Sequence, residues 1–148
     1  RNTVKEFGYV SRMDALQASI LSFRLDQLST VVDKRIRNAE IYFENLKKLP
    51  IVLPIEQSPE YNTYHTFVIQ IEDRDQLQKY LLKNNIETTI HYPIPIHLQP
   101  AAFPLGYSKG DFPVTEGQCK RILTLPIHQY LKESEIKHVC DIINMWFK

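Results

Sequence analysis

The chain has 148 residues, of which 43% are hydrophobic and 24% are charged, as in a globular protein of one ordinary domain. Its formal net charge of +1 gives no electrostatic reason to expect nucleic acid or an anionic membrane as a partner. The two cysteines and five histidines lack the spacing of metal ligands, so we expect no metal site. No run approaches the roughly 20 apolar residues that cross a bilayer. With so few cysteines, we expect a cytoplasmic protein.

The first part of the chain is predicted to be helical. Residues 13–49 carry apolar side chains at intervals of three and four, with a predicted break near residues 28–30. The apolar positions are Leu16, Ile20 and Phe23 before the break, and Val32, Ile36, Ala39, Phe43 and Leu46 after it. A short strand over residues 51–53 lies between prolines, and residues 56–62 form a turn-rich connection.

Strands and helices alternate in the middle of the chain. Residues 64–71 are rich in β-branched and aromatic residues, which predicts a strand. Asp73 is the expected N-cap of a helix that ends at Asn84–Asn85. A further strand is predicted over residues 86–92, where it leads into a proline-rich segment.

The last part begins with an irregular excursion over residues 100–114, which is rich in glycine and proline and long enough to suggest a function. A short helix is predicted over residues 115–122 and a short strand or extended turn over residues 123–126. A last helix, starting at residues 132–134, is expected to bury Ile136, Val139, Ile143 and Trp146. These elements predict a two-layer α/β unit with a small mixed or antiparallel sheet and packed helices, preceded by long helices that belong to a larger body.

The proline-rich segment from Thr89 to Pro100 is too apolar for an ordinary solvated loop, and its prolines exclude a helix or a central strand. It carries His91, Tyr92 and His97 between rigid prolines. Stiff loops that bring polar groups out of an apolar strand often hold a ligand. The alternative, which these residues alone favour, is that the prolines only end an edge strand.

Motifs along nearly the whole chain resemble those of one family. The segments, with the patterns they resemble, are Gly8–Leu21 (G-Y-N-S-R-[ML]-D-x-L-Q-A-A-I-L), Tyr64–Ile69 (Y-H-x-[YF]-V-I), Ile90–Gln99 (I-H-Y-P-x-P-x-H-x-Q), Gly110–Glu116 (G-x-F-P-x-[TA]-E) and Ile122–Pro126 ([IL]-L-[ST]-L-P). Together and in this order, they resemble the DegT/DnrJ/EryC1/StrS family of pyridoxal-phosphate-dependent nucleotide-sugar aminotransferases.

The resemblance implies a fold and a division of the chain. Residues 1–30 would be the end of the large pyridoxal-phosphate-binding domain with its connecting helix, and residues 31–148 the C-terminal small α/β domain of a fold-type I transferase. The lysine that binds the cofactor in this family would lie upstream of Arg1. We therefore expect no catalytic residue in this chain, no retained pyridoxal phosphate and no activity of the fragment alone.

The resemblance also implies site residues. Val10 stands where the family has an asparagine that reaches the cofactor phosphate, and valine cannot donate a hydrogen bond, so Ser11 is the remaining cofactor-binding candidate. Arg12 is expected to approach the substrate. His91 and Tyr92 match the family's nucleotide-sugar contacts, and His97 is a further candidate for that role or a brace for the loop.

For the full-length protein, the resemblance implies transfer of an amino group from glutamate to a keto-sugar on a nucleoside diphosphate, within a homodimer, in the synthesis of an amino sugar for a polysaccharide or antibiotic. A sugar dehydratase of the same family is one alternative, because the deciding residue would lie upstream. A free-standing α/β ligand-binding or interaction module is another, although a chain that opens in mid-motif favours a fragment. A small hydrolase is disfavoured, because no nucleophile elbow is visible.

Overall fold

The computed structural model describes residues 13–148. Two helices come first, α1 over Ala15–Leu25 and α2 over Leu28–Leu46, and the break between them falls slightly before the predicted one. Asp14 caps α1, since its carboxylate accepts a hydrogen bond from the Gln17 backbone N–H at 2.9 Å. Within α1, which lies wholly in the described part, no side chain is buried, so the predicted apolar face is exposed in this chain.

The sheet has two antiparallel strands, β1 over Phe67–Gln70 and β2 over Ile122–Leu125, with Phe67 opposite Leu125. The predicted strand over residues 64–71 is too long, because Tyr64 has a φ of +47° and cannot continue an extended chain. The predicted strands over residues 51–53 and 86–92 are wrong as strands. Each is reduced to an isolated antiparallel bridge, Val52 to Gln70 and Thr89 to Thr124.

Three further helices follow the predicted order. They are α3 over Arg74–Lys83, α4 over Pro113–Arg121 and α5 over Glu133–Trp146. The structure begins α4 at Pro113 rather than Thr115, which suits a residue with fixed φ and no N–H to satisfy. The excursion over residues 100–114 is less irregular than predicted, because a 3-10 helix covers Pro100–Leu105. Another 3-10 helix, Ile96–Leu98, lies just before it.

The core lies between the sheet and the helices. Helix α5 packs against α2 and α3, while α3 also contacts β2, and α4 contacts β1. Tyr42 of α2 and Phe67 of β1 are fully buried, with ring centroids 4.8 Å apart, so these aromatic residues belong to the core. The Tyr42 hydroxyl donates to the Pro126 carbonyl at 2.7 Å, which satisfies its one buried polar group.

The predicted apolar face of α5 is confirmed: Ile136, Val139 and Ile143 are buried, and the half-buried Trp146 stacks on Tyr80 with ring centroids 5.2 Å apart. Between residues 13 and 148, no helix combines the length and the apolar composition that a membrane crossing requires.

Candidate functional site

His91 is anchored to the sheet. Its Nδ1 lies 3.0 Å from the hydroxyl of Thr124 in β2, and the backbone of Thr124 also pairs with Thr89 through two hydrogen bonds. Thr124 is only 8% exposed. This one buried strand residue therefore holds both the backbone of Thr89 and the imidazole of His91. The rest of the His91 side chain is open to solvent.

Tyr92 projects beside this imidazole. It is 70% exposed, and its ring meets the His91 ring edge to face, with centroids 5.4 Å apart and an interplanar angle of 83°. The peptide bond that joins the two residues is cis. The structure thus brings together two of the predicted contact residues and leaves an aromatic face, a phenol hydroxyl and an imidazole accessible on one surface.

His97 has the opposite environment. It is 5% exposed, its Nε2 lies 3.1 Å from Glu116 Oε1, and its ring packs on Phe112 with centroids 4.7 Å apart. The backbone N–H of Gly110 donates to the same carboxylate oxygen at 2.7 Å. This N–H first, and His97 second, hold the pKa of Glu116 below its ordinary value against the opposing effect of burial.

The residues that anchor the loop, Thr124 and Glu116, were not predicted from the sequence. Both stand in motifs on which the family resemblance rests, Ile122–Pro126 and Gly110–Glu116. The threonine hydroxyl and the glutamate carboxylate within those motifs were the signal that reasoning from the sequence could have used. Pairing them with the right histidine required the tertiary structure.

Many apolar side chains are exposed in the loop and in the segment that follows it up to the first turn of α4. They include Tyr92, Ile94, Ile96, Phe103, Leu105, Tyr107, Phe112 and Val114. Of these, Tyr107 and Phe112 are shown in contact, with ring centroids 5.2 Å apart.

A cleft of about 550 Å³ lies elsewhere, beside Ile86, Pro126 and Val139, and neither His91 nor Tyr92 lines it.

The described residues do not fit a covalently held pyridoxal phosphate. Every lysine from Lys34 to Lys148 has an exposed side chain. A Schiff-base lysine is normally desolvated or placed beside another cation, which lowers its pKa. Lys137 shows the opposite effect, because its hydrogen bond to Glu133 raises its pKa. Val10, Ser11 and Arg12, named above for the cofactor and substrate, lie outside the described residues.

Comparison with known proteins extends over nearly the whole chain. The chain is 35% identical, over 95% of its length, to a pleiotropic regulatory protein of Geobacillus stearothermophilus, of which it covers 39%. It is 34% identical, over 94% of its length, to the dTDP-3-amino-3,6-dideoxy-alpha-D-galactopyranose transaminase of Aneurinibacillus thermoaerophilus, of which it covers 38%. It therefore spans well under half the length of these relatives.

The fold agrees with solved structures. The crystal structure of S. venezuelae DesV in complex with a ketimine intermediate matches 99% of the chain with a TM-score of 0.92 and 32% identity, and the chain covers 40% of that structure. This confirms the predicted fold class, the mixed α/β fold of pyridoxal-phosphate-dependent aminotransferases. Residues 1–144 match the family model of these enzymes, and the chain belongs to the DegT/DnrJ/EryC1/StrS aminotransferase family.

Proposed function

We propose that the full-length protein transfers an amino group from glutamate to a keto-sugar carried by a nucleoside diphosphate, with pyridoxal phosphate as cofactor. In this proposal, residues 31–148 are its C-terminal small domain, and residues 1–30 are the end of the large domain with the connecting helix. The observation that carries the proposal is the exposed His91–Tyr92 pair, anchored on Thr124, in a chain of this aminotransferase family.

The proposed role of this chain is to hold the nucleotide-sugar. His91 Nδ1 and the Thr124 hydroxyl share a hydrogen bond of 3.0 Å. In the proposed tautomer the hydroxyl donates to Nδ1, which leaves the hydrogen on Nε2, where it can be donated to a phosphate or sugar oxygen. Tyr92 offers its ring face and its hydroxyl to the same ligand. Arg12 and Ser11 are the proposed contacts for the substrate and the cofactor phosphate. Pyridoxal phosphate would supply the electron sink, and the residue that would hold it covalently is proposed to lie outside the described part.

Exposed apolar surfaces support the proposed assembly. The apolar face of α1, with Leu16 73% and Phe23 71% exposed, would be covered by the large domain of the same chain. The apolar surface around the loop, where Ile96 is 81% and Phe103 is 64% exposed, would meet the second subunit of a homodimer.

The reaction is tested with the full-length protein, pyridoxal phosphate, a nucleotide-linked keto-sugar and ¹⁵N-labelled glutamate. We expect mass spectrometry to find the ¹⁵N label in the sugar, and no amino sugar when glutamate is omitted. Formation of a deoxygenated sugar without nitrogen would contradict the proposal and favour a dehydratase.

The ligand contact is tested with His91→Ala in the full-length protein. Loss of a hydrogen bond to a charged phosphate oxygen costs about 1.5–3 kcal/mol, so we expect KM for the nucleotide-sugar to rise by roughly ten- to a hundredfold. The melting temperature should change little, because the ring is exposed. His138→Ala, which removes an exposed histidine from α5, is the matched control. An unchanged KM with a collapsed melting temperature would show that His91 is structural.

A further inference from the structure

The loop from His91 to Gln99 is held near both ends by side chains of different elements. At its start, His91 Nδ1 lies 3.0 Å from the Thr124 hydroxyl of β2. Near its end, His97 Nε2 lies 3.1 Å from Glu116 Oε1 of α4. Tyr92 is exposed between these anchors. Because a loop tied at both ends has fewer conformations, its exposed residues are presented in a restricted set of orientations.

Glu116 ties the loop to two further segments. Its Oε1 accepts from the Gly110 N–H at 2.7 Å, and its own backbone N–H donates to the Phe112 carbonyl at 3.0 Å. Gly110 has a φ of +101°, where a side chain would be strained. The Phe112 ring packs on His97, and Tyr107 packs on Phe112 with ring centroids 5.2 Å apart. The Glu116 carboxylate therefore joins the turn before α4 to the end of the loop, while the Glu116 backbone makes a hydrogen bond of the first turn of α4.

The His97–Glu116 contact is sheltered from water. The two side chains are 4% and 13% exposed, whereas those of the Lys137–Glu133 pair on α5 are 54% and 65% exposed. A carboxylate only accepts, so the His97 Nε2 carries the shared hydrogen. Loss of Glu116 would leave the buried His97 Nε2 without this partner, and loss of His97 would leave the Glu116 carboxylate with the Gly110 N–H but without the imidazole. Either loss is more costly than the loss of an exposed pair.

We infer that His97 and Glu116 are positioning residues, which hold this loop in the conformation where His91 and Tyr92 contact a nucleoside-diphosphate sugar. The inference rests on the proposed function. In this inference His97 acts on ligand binding through the conformation of the loop and does not touch the ligand, because its ring contacts Glu116 and Phe112.

Titration calorimetry of the full-length protein with UDP-N-acetylglucosamine and with dTDP-glucose tests this inference. For whichever probe the wild type binds, His97→Leu should raise Kd about tenfold, which corresponds to about 1.4 kcal/mol. His97→Gln keeps an N–H that can donate to Glu116, so its Kd should stay within about threefold of the wild type. Glu133→Gln removes an exposed carboxylate from the first turn of α5 and should leave Kd unchanged.

The inference is overturned by a folded His97→Leu protein that binds as tightly as the wild type. It is also overturned if His97→Gln binds as weakly as His97→Leu, which is the pattern of a lost direct contact. If His97→Leu does not fold, Glu116→Gln is the deciding variant, because it keeps an acceptor oxygen but removes the charge. We expect it to bind the probe about threefold more weakly, since hydrogen bonds to charged groups are stronger than those to neutral groups. A Kd of Glu116→Gln equal to that of the wild type overturns the inference. A wild type that binds neither probe contradicts the proposed function itself.

Discussion

Two histidines of one loop differ in environment because their partners differ. His91 lies at the surface with its Nδ1 on a hydroxyl, whereas His97 is buried with its Nε2 on a carboxylate. An imidazole can donate, accept or do both, so the residue type alone predicts neither role. The partners, Thr124 and Glu116, come from later elements of the chain. The proposed substrate role of His91 and the proposed positioning role of His97 thus rest on contacts that are distant in sequence.

Burial also decides the chemistry of a cysteine. Cys140 is 1% exposed, as its place in an apolar helical pattern predicts, and burial, with a smaller effect of Asp141, raises its pKa from 9.0 to about 12. In a Cys119→Ser background, we expect iodoacetamide to modify Cys140 at pH 8 at least about a thousandfold more slowly than a cysteine of ordinary pKa, because the thiolate is the reacting form. Mass spectrometry at timed intervals measures this rate.

The same protein in concentrated urea is the control, because unfolding exposes the thiol and should restore ordinary reactivity. Equal rates in the folded and unfolded protein would contradict the burial of Cys140.

Among the elements, helices were predicted more accurately than strands. The residues that end α3 and the apolar face of α5 agree with the structure, because a helix makes its own backbone hydrogen bonds. The segment 86–92 looked like a strand, but a strand needs a neighbour along its length. Only Thr89 finds one, while the Thr88 carbonyl accepts from the Gln78 side chain at 3.3 Å and the prolines that follow lack an N–H.

Helix α5 supplies a test of the core. Ile143 is fully buried against the helices and the sheet, so Ile143→Ala should lower the free energy of unfolding by about 2–5 kcal/mol through lost burial and a residual cavity. Met145→Ala on the same helix, where the side chain is 57% exposed, should change it by less than about 0.5 kcal/mol. Urea unfolding of the purified chain, followed by the fluorescence of its one tryptophan, measures both. Equal effects of the two substitutions would show that α5 is not packed as described.

At the scale of the whole molecule, exposed apolar side chains support the proposed contacts with a large domain and with a second subunit. Helix α1 has no buried side chain, and Ile96 and Phe103 are 81% and 64% exposed. The described lysines are all exposed, and none is placed to form a stable Schiff base. The loop from His91 to Gln99, in contrast, has its two described anchors, Thr124 and Glu116, within the chain.

We therefore expect the purified 148-residue chain to retain no pyridoxal phosphate after desalting and to show no transaminase activity. The absorbance spectrum after incubation with equimolar cofactor checks the first outcome, and borohydride reduction with peptide mass spectrometry checks for any lysine-linked cofactor. The full-length protein treated in parallel is the control. Stoichiometric labelling of one lysine of this chain would contradict the prediction.

The sequence by itself determined the family, the order of the helices and the presence of a stiff loop with His91, Tyr92 and His97, because motifs, apolar periodicity and prolines are local properties. Tertiary structure alone decided which strands pair, which histidine faces solvent, and that Glu116 joins the end of the loop to α4. The physical reason is that pairing, burial and hydrogen bonding depend on partners that are distant in the chain. From the sequence, the proline-rich segment is therefore a predicted ligand loop. The structure adds that Thr124 and Glu116 anchor it near its two ends.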